Sequence, residues 1–518
     1  MFVFGEKDFL RIAMEGKVVP LIYERGIGEE TPPRAYLKLG KSVNSFLLES
    51  AGGSPNLTEY SFVGTSPLKI VKTRKSNPLS VLRDLVRTFA PGNFETPFPF
   101  WGGAVGYLSY DVCRYIERLP TLTEDDLGLP QAVFIFPEIL LVFAHKTGKL
   151  YVIVNQIVGK NPKNDFEKAQ SKLDEVLAQL DKQAVGARRF CDAIFLEKER
   201  RPKGRPLQGF CRGGPLGPPT EISENNLFTP KASPTTVAAN LTQSQYESIV
   251  RRAKEYIFAG DIFQANLSVR FEVPFEGDPF ALYMKLRDIN PSPFAAYFNF
   301  GHFHLISSSP ERLIMLRDGV AQTRPIAGTR RRGDDQLEDE KLSGDLILNE
   351  KERAEHIMLV DLERNDLGRV CEYGTVLPSE LLTVEKYSHV IHIVSNVKGK
   401  LKMGKDQFDL IRAMFPGGTI TGCPKVRCME IIEELEPTRR GPYTGSIGYF
   451  GFNGNMDMNI TIRTFIVMGG KAYIQAGSGV VADSDPTREY FEGVSKANAL
   501  LKAVGVEEER IKWERLST

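Results

Sequence analysis

The chain is short of net charge. Its 66 Lys and Arg against 65 Asp and Glu leave a formal charge of +1 over 518 residues, so no global field favours nucleic acid or an anionic membrane. Cysteine is scarce as well: six, without regular spacing, which argues against a disulfide scaffold and fits a reduced, cytoplasmic setting. The most apolar run, Ala132 to Ala144, is interrupted by Pro137 and Glu138 and is too short to cross a bilayer. The first residues lack a basic region followed by an apolar stretch, so no signal peptide is expected. Nor is there an internal repeat of about 20–50 residues, which excludes solenoids and propellers. What is present is a globular composition, 42% hydrophobic and 25% charged, sufficient for a large core.

Three regions follow from the patterning. Residues 1–181 read as a β-rich N-terminal subdomain, with short apolar runs broken by Gly, Pro, Asn and Ser from Arg34 to Val154. Residues 182–234 read as a flexible insertion: Arg201–Thr220 holds five glycines and five prolines beside a crowd of arginines, too little apolar surface to offset ordering entropy. Residues 235–518 are dense in helix and strand signals. Thr242 and Gln245 make a capping box, Tyr246, Ile249, Val250, Ala253 and Ile257 share a helical face, and Gly260 closes that helix.

Several constellations could carry chemistry. Glu352 and Glu355 follow a potential N-cap, Asn349, one helical turn apart; Glu489 and Glu492 repeat the spacing after Asp485 and Pro486. Four carboxylates brought together repel without a cation, and all-oxygen ligands favour Mg²⁺ over Zn²⁺. On spacing alone, a solvated helix face is the commoner reading of each pair. The Phe415–Lys425 segment runs through Gly417, Gly418 and Gly422 into a predicted helix, and suits a carboxylate or phosphate, or simply a tight cap. Asn453-Gly454 predicts a type I′ hairpin. It feeds an alternating strand, Met456–Val467, with Arg463 on the polar face, where its fork could grip a carboxylate or pair on the surface. Gly209-Phe-Cys211-Arg-Gly213 has the form of a nucleophile elbow, but Pro and Gly flank it where a buried strand and a helix are required, so coincidence is expected.

In order along the chain, these segments resemble the chorismate-utilising enzymes, specifically the large subunits of anthranilate synthase and aminodeoxychorismate synthase. The resemblance runs through Asp261–Ser268, Ser309-Pro-Glu311-Arg312, Pro325–Thr329, Glu352–Leu362, His392-Ile-Val-Ser395, Gly417–Lys425 and Val481–Ser484. It continues more weakly through Leu47–Ser50 and Gly102–Tyr107. It implies an α/β fold of the α+β type, two large stacked antiparallel sheets flanked by helices. Glu355 and Glu492 resemble the Mg²⁺ ligands, with Glu352 and Glu489 in support. Ala327, Gly328, Thr329, Tyr443, Arg463, Gly477, Ser478 and Gly479 match substrate-holding positions. His392, Glu311, Gln264, Thr419 and Lys496 match the catalytic set, His392 as the acid–base residue at the C4 hydroxyl of chorismate, where a near-neutral pKa is useful. Ser50, Pro293, Phe294 and Ala295 match a tryptophan pocket.

Water-adding relatives place a Lys where this chain has Gln264. An amide takes no proton, which points to ammonia as nucleophile, delivered by a separate glutamine amidotransferase subunit. Ala327 leaves C2 of chorismate open and favours anthranilate as product. The Gly417–Thr421 and Gln264–Asn266 segments look more like the aminodeoxychorismate branch, so 4-amino-4-deoxychorismate is the alternative. A catalytically inactive regulatory homologue is a second alternative, against which the intact set of four glutamates, His392 and Arg463 argues.

Overall fold

The computed structural model describes residues 1–52, 59–92, 94–182, 236–333, 335–386, 390–506 and 512–515. The expected insertion from residue 183 onward, with the Cys211 segment, lies outside the described residues. Those residues form an α/β architecture of the α+β type. Their strands join one hydrogen-bonded network, antiparallel except where Lys512–Arg515 pairs with Thr236–Ala239.

The apolar run Ala132–Ala144 is a central strand, with Tyr60–Thr73 on one side and Lys149–Ile157 on the other. Every residue in it but Glu138 is buried, which is why it lacks the alternation of a half-exposed strand. Pro137 faces Pro67 at a register shift, the position at which a strand tolerates a residue without an amide proton. The N-terminal region also holds a helix, Pro78–Phe89, that the β-rich reading passed over. Its signal was present: Asn77 caps Leu79 N at 3.0 Å, Pro78 opens the helix, and Leu79, Leu82 and Val86 are buried on one face.

N- and C-terminal regions share strand edges. Ser45–Glu49 pairs with Phe294–Asn299, and Gly103–Leu108 with Ser446–Gly451. One buried cluster accordingly mixes Leu47, Val63 and Leu141 with Tyr297, Ile306 and Phe465. The Thr242–Gln245 capping box forms as expected, on the helix Gln243–Phe258. Asn453-Gly454 departs from expectation. Only Gly454 has positive φ, +84°, and its amide bonds the Gly451 carbonyl at 3.1 Å. The turn therefore centres on Phe452 and Asn453, with the glycine placed after it, and is not type I′. No helix among the described residues is long and apolar enough to cross a membrane, and the four described cysteines are free thiols.

Candidate active site

Two strand pairs and one loop build the site. In the first pair, Lys471–Val480 runs against Gln264–Pro274, setting Gly477, Ser478 and Gly479 opposite Ser268, Leu267 and Asn266. Gln264 stands beside Gly479: a methyl group there would lie 2.5 Å from the Gln264 amide nitrogen. Ser478 Oγ is 3.1 Å from the Tyr246 hydroxyl. Lys496 donates to the Gly477 carbonyl at 3.0 Å and pairs with Glu492 at 2.8 Å.

In the second pair, Ile326–Arg331 faces Val390–Lys400, with Thr329 opposite His392 and a register shift between Ala327 and Thr329. Gly328 occupies that shift at φ +63°. A side chain there would meet the Glu352 carboxylate at 2.8 Å, so conformation and space both demand glycine. His392 Nδ1 donates to the Gly328 carbonyl at 3.1 Å. A carbonyl only accepts, so the neutral ring carries its proton on Nδ1 and its lone pair on Nε2. Burial pushes the imidazole down to about 4, below the near-neutral value the sequence suggested. A dianionic substrate nearby would draw it back up.

The glycine loop is less open than expected. A short turn, Gly418–Ile420, and a two-residue strand, Gly422–Cys423, precede the helix Lys425–Leu435. The strand pairs with Ala265 and Gln264. The Gly418 amide faces the chain's own Glu363 carboxyl and lowers its pKa. Thr419 Oγ1 donates to Glu311 Oε1 at 2.8 Å. Glu311 is buried, and burial lifts its carboxyl to about 7; nearby Glu363 also raises it, while the Thr419 bond, Arg463 and Lys496 oppose.

Arg463 corrects a further expectation. The predicted strand divides into Met456–Asn459 and Thr464–Met468, and Arg463 stands in the break at φ +50°. That turn brings the guanidinium near Glu311 and His392, with both of which it interacts electrostatically. Burial lowers its pKa, and its side chain makes no hydrogen bond or ion pair to any described residue. Tyr443 is buried beside the Arg440 guanidinium, 5.8 Å from its ring centroid.

The four candidate metal glutamates stand where their caps predict. Asn349 accepts from Glu352 N at 3.0 Å and Asp485 from Arg488 N at 2.9 Å. Glu352 pairs with Arg330 at 3.0 Å. Among the described residues Glu489 Oε2 is buried without a hydrogen-bond partner, an oxygen that a hard cation would satisfy. No three His, Cys, Asp or Glu residues among the described residues converge as a preformed cage. The structure therefore does not bring the four glutamates together as the sequence expectation had it, and the metal assignment is left to the resemblance and to the unsatisfied Glu489 oxygen.

None of the candidate catalytic or substrate residues lines a separate cavity of about 380 Å³ bordered by Ser50, Pro293, Phe294 and Ala295. The Ser50 hydroxyl donates to the Tyr60 carbonyl at 3.0 Å. Arg312, held bidentately by Asp457 at 2.9 and 3.0 Å, lies over the Phe294 ring. The volume suits a small amphipathic ligand.

Sequence reasoning missed Glu363. The signal was its spacing: eleven residues after Glu352 on the same helix, Glu350–Gly368, or about three turns, which returns it to nearly the same face.

Comparison with known proteins accords with this geometry. The family described as chorismate binding enzyme matches residues 44–502. Anthranilate synthase component 1 of Acetivibrio thermocellus is 39% identical over 511 residues, covering 95% of this chain and 96% of that protein. Aminodeoxychorismate synthase component 1 of Bacillus subtilis (strain 168) is 42% identical over 482 residues, covering 90% and 93%. The crystal structure of anthranilate synthase component I from Streptococcus pneumoniae TIGR4 aligns with a TM-score of 0.72 at 32% identity, covering 92% of this chain and 99% of that one. The chain belongs to the chorismate-binding enzyme family. It is a chorismate-utilising enzyme whose relatives carry the designation of one component among others.

Proposed function

We propose that the chain aminates chorismate at C2 with ammonia and eliminates pyruvate to form anthranilate, the ammonia coming from a separate glutamine amidotransferase. The observation that carries this reading is Arg463: a buried guanidinium beside Glu311 and His392 that makes no hydrogen bond or ion pair to any described residue. Such a group calls for an anionic ligand, and chorismate brings two carboxylates. Glu355 and Glu492, with Glu352 and Glu489, would hold Mg²⁺. Bound there, the ion would neutralise the second substrate carboxylate.

The remaining steps fall to side chains. In the amination, the C2–N bond forms as both ring double bonds shift, C1=C2 to C1=C6 and C5=C6 to C4=C5, and the C4–O bond breaks. Glu311, a carboxyl that keeps a proton near neutrality, supplies it to the departing hydroxyl, which leaves as water; His392, the acid–base residue the resemblance implied there, is held neutral by burial and has no second proton to give. In the elimination the C2 proton is lost, the C2=C3 bond forms and the C3–O bond to the enolpyruvyl group breaks, and the released enolate takes up a proton at its methylene carbon to leave as pyruvate. His392, neutral and with its lone pair on Nε2, is the acceptor. Gln264 binds without taking a proton, which leaves ammonia as the nucleophile. In this reading residues 235–518 supply the chorismate site, while residues 1–181 help wall a regulatory cavity that accepts tryptophan.

The second reading, 4-amino-4-deoxychorismate as product, is favoured by the Bacillus subtilis relative at 42% identity. Incubation with chorismate, Mg²⁺ and ammonium separates the two by mass and fluorescence. Fluorescent anthranilate supports the first reading and an aminated, non-aromatic product the second. Untouched chorismate would sink both.

A further inference from the structure

The helix that carries Glu352 and Glu355 also buries Glu363, only 4% exposed, beneath the glycine loop. No role described so far uses it. Thr323 Oγ1 lies 3.1 Å from Glu363 Oε2 and 2.9 Å from the Leu313 carbonyl. Gly418 lies against the Glu363 carboxyl, a methyl group there being 3.6 Å from Oε1, and its amide lowers the carboxyl's pKa. Gly418 sits so close to the helix that a methyl group there would be 2.3 Å from Leu362 Cδ2. Charged neighbours are Lys425, Asp366 and Glu311. Lys425 is committed elsewhere, paired with Asp366 and donating to the Met414 carbonyl at 3.0 Å.

One hydroxyl proton faces two acceptors here. A carbonyl cannot donate, so the arrangement around Thr323 is complete when Glu363 is the protonated partner and Thr323 serves Leu313. Burial acts in the same direction, lifting the carboxyl to about 7. The residue after Gly418 is Thr419, whose hydroxyl donates to Glu311 at 2.8 Å. A chain of contacts thus runs from Glu363 through one amide and one hydroxyl to the group that would deliver the proton.

We propose that Glu363 is a positioning residue of the chorismate reaction, anchoring the Gly418 amide so that Thr419 is aimed at Glu311, and titrating with Glu311 as one two-carboxyl unit. The proposal rests on the reading of Glu311 as proton donor. When Glu363 ionises, its charge discourages ionisation of Glu311 and keeps the donor loaded. Around the pair, Arg463, Lys496 and Thr419 face Glu311, while Lys425, Asp366, Thr323 and Gly418 face Glu363.

The test is turnover of chorismate by the full chain at saturating Mg²⁺ and fixed free NH₃, from about pH 6 to 9, which brackets the two carboxyls. Glu363→Gln keeps the shape and an acceptor for Gly418 but not the charge. Its alkaline limb of kcat should move to lower pH by about 0.5–1 unit, with KM changed less than about twofold. Glu363→Asp, which restores an ionisable group, should bring the limb back toward wild type, and folding of both is checked by circular dichroism. A wild-type profile in folded Glu363→Gln, or a Glu363→Asp limb displaced as far as that of Gln, overturns the proposal. Failure of the wild-type chain to consume chorismate would instead overturn the functional reading, and is seen before any variant is made.

Discussion

Arg324 donates to Glu385 at 2.7 Å, and Glu385 lies directly across the strand pair from His392. The same arginine borders the 380 Å³ cavity. One guanidinium therefore faces the candidate regulatory cavity and neutralises a carboxylate beside a candidate catalytic base. Replacing Arg324 with Met leaves the Glu385 charge less compensated, which favours the imidazolium. The His392 pKa, from about 4, should rise by roughly 0.5–1 unit, read by NMR titration of the histidine ring protons. No movement would show that the pair does not communicate with the base.

Stability should carry the mark of two buried carboxyls. Glu311 and Glu363 are raised from 4.5 to about 7, chiefly by burial. Their contribution is fully present below pH 4.5 and is lost as pH rises through about 7, because the folded state then holds protons the unfolded state has released. Glu311→Gln should match wild type near pH 4.5 and exceed it at about pH 8 by on the order of 1–3 kcal/mol, measured by urea unfolding. Equal stabilities at the higher pH would mean that the carboxyl ionises without penalty.

Glu355→Gln and Glu492→Gln should each lower turnover at limiting Mg²⁺ by roughly 100-fold or more, with unchanged circular dichroism. Glu489→Gln is the sharper case, since its Oε2 has no partner in the protein. Near-wild-type Mg²⁺ titration curves for all three variants would remove the metal assignment.

Arg463→Lys keeps the charge and loses the fork. KM for chorismate should rise about 10–100-fold, as expected for a lost charge-assisted, bidentate contact. Thermal stability should hold, because Lys keeps the charge that faces Glu311 and the native guanidinium makes no hydrogen bond or ion pair to a described residue. A fall in kcat with KM unchanged would assign Arg463 to the transition state alone.

Tryptophan titrated into the chorismate–ammonium assay should inhibit, and Ser50→Phe should relieve the inhibition by filling the cavity that Ser50 borders. Insensitivity of the unmutated chain would withdraw the regulatory claim and favour aminodeoxychorismate as product.

Local signals in the sequence translated well because they are settled within a few residues. Thr242, Asn349 and Asp485 each cap the helix that follows. The apolar alternation after Met456 misled, since periodicity does not reveal that the chain breaks at Arg463 to bring a guanidinium inward. The glutamate spacing located two helices but not their neighbours: Arg330 beside Glu352 and Lys496 beside Glu492 are tertiary facts. His392 was placed by resemblance, but its depressed pKa comes mainly from burial, which a strand's own residues do not report. Glu363 stayed hidden because a carboxylate on a charged helix ordinarily faces water. Only the loop packed over it makes it part of the site.

The shared strand edges also bear on how the protein could be made. Ser45–Glu49 against Phe294–Asn299, and Gly103–Leu108 against Ser446–Gly451, are seams that do not depend on the polypeptide being continuous between Asp181 and Thr236. Two separately translated pieces, one ending near residue 182 and the other starting near 236, each expose the edge and apolar surface that the other covers. Co-expressed, they should assemble as a complemented pair. Each alone should aggregate, so the two halves behave as obligate partners that happen to share one gene.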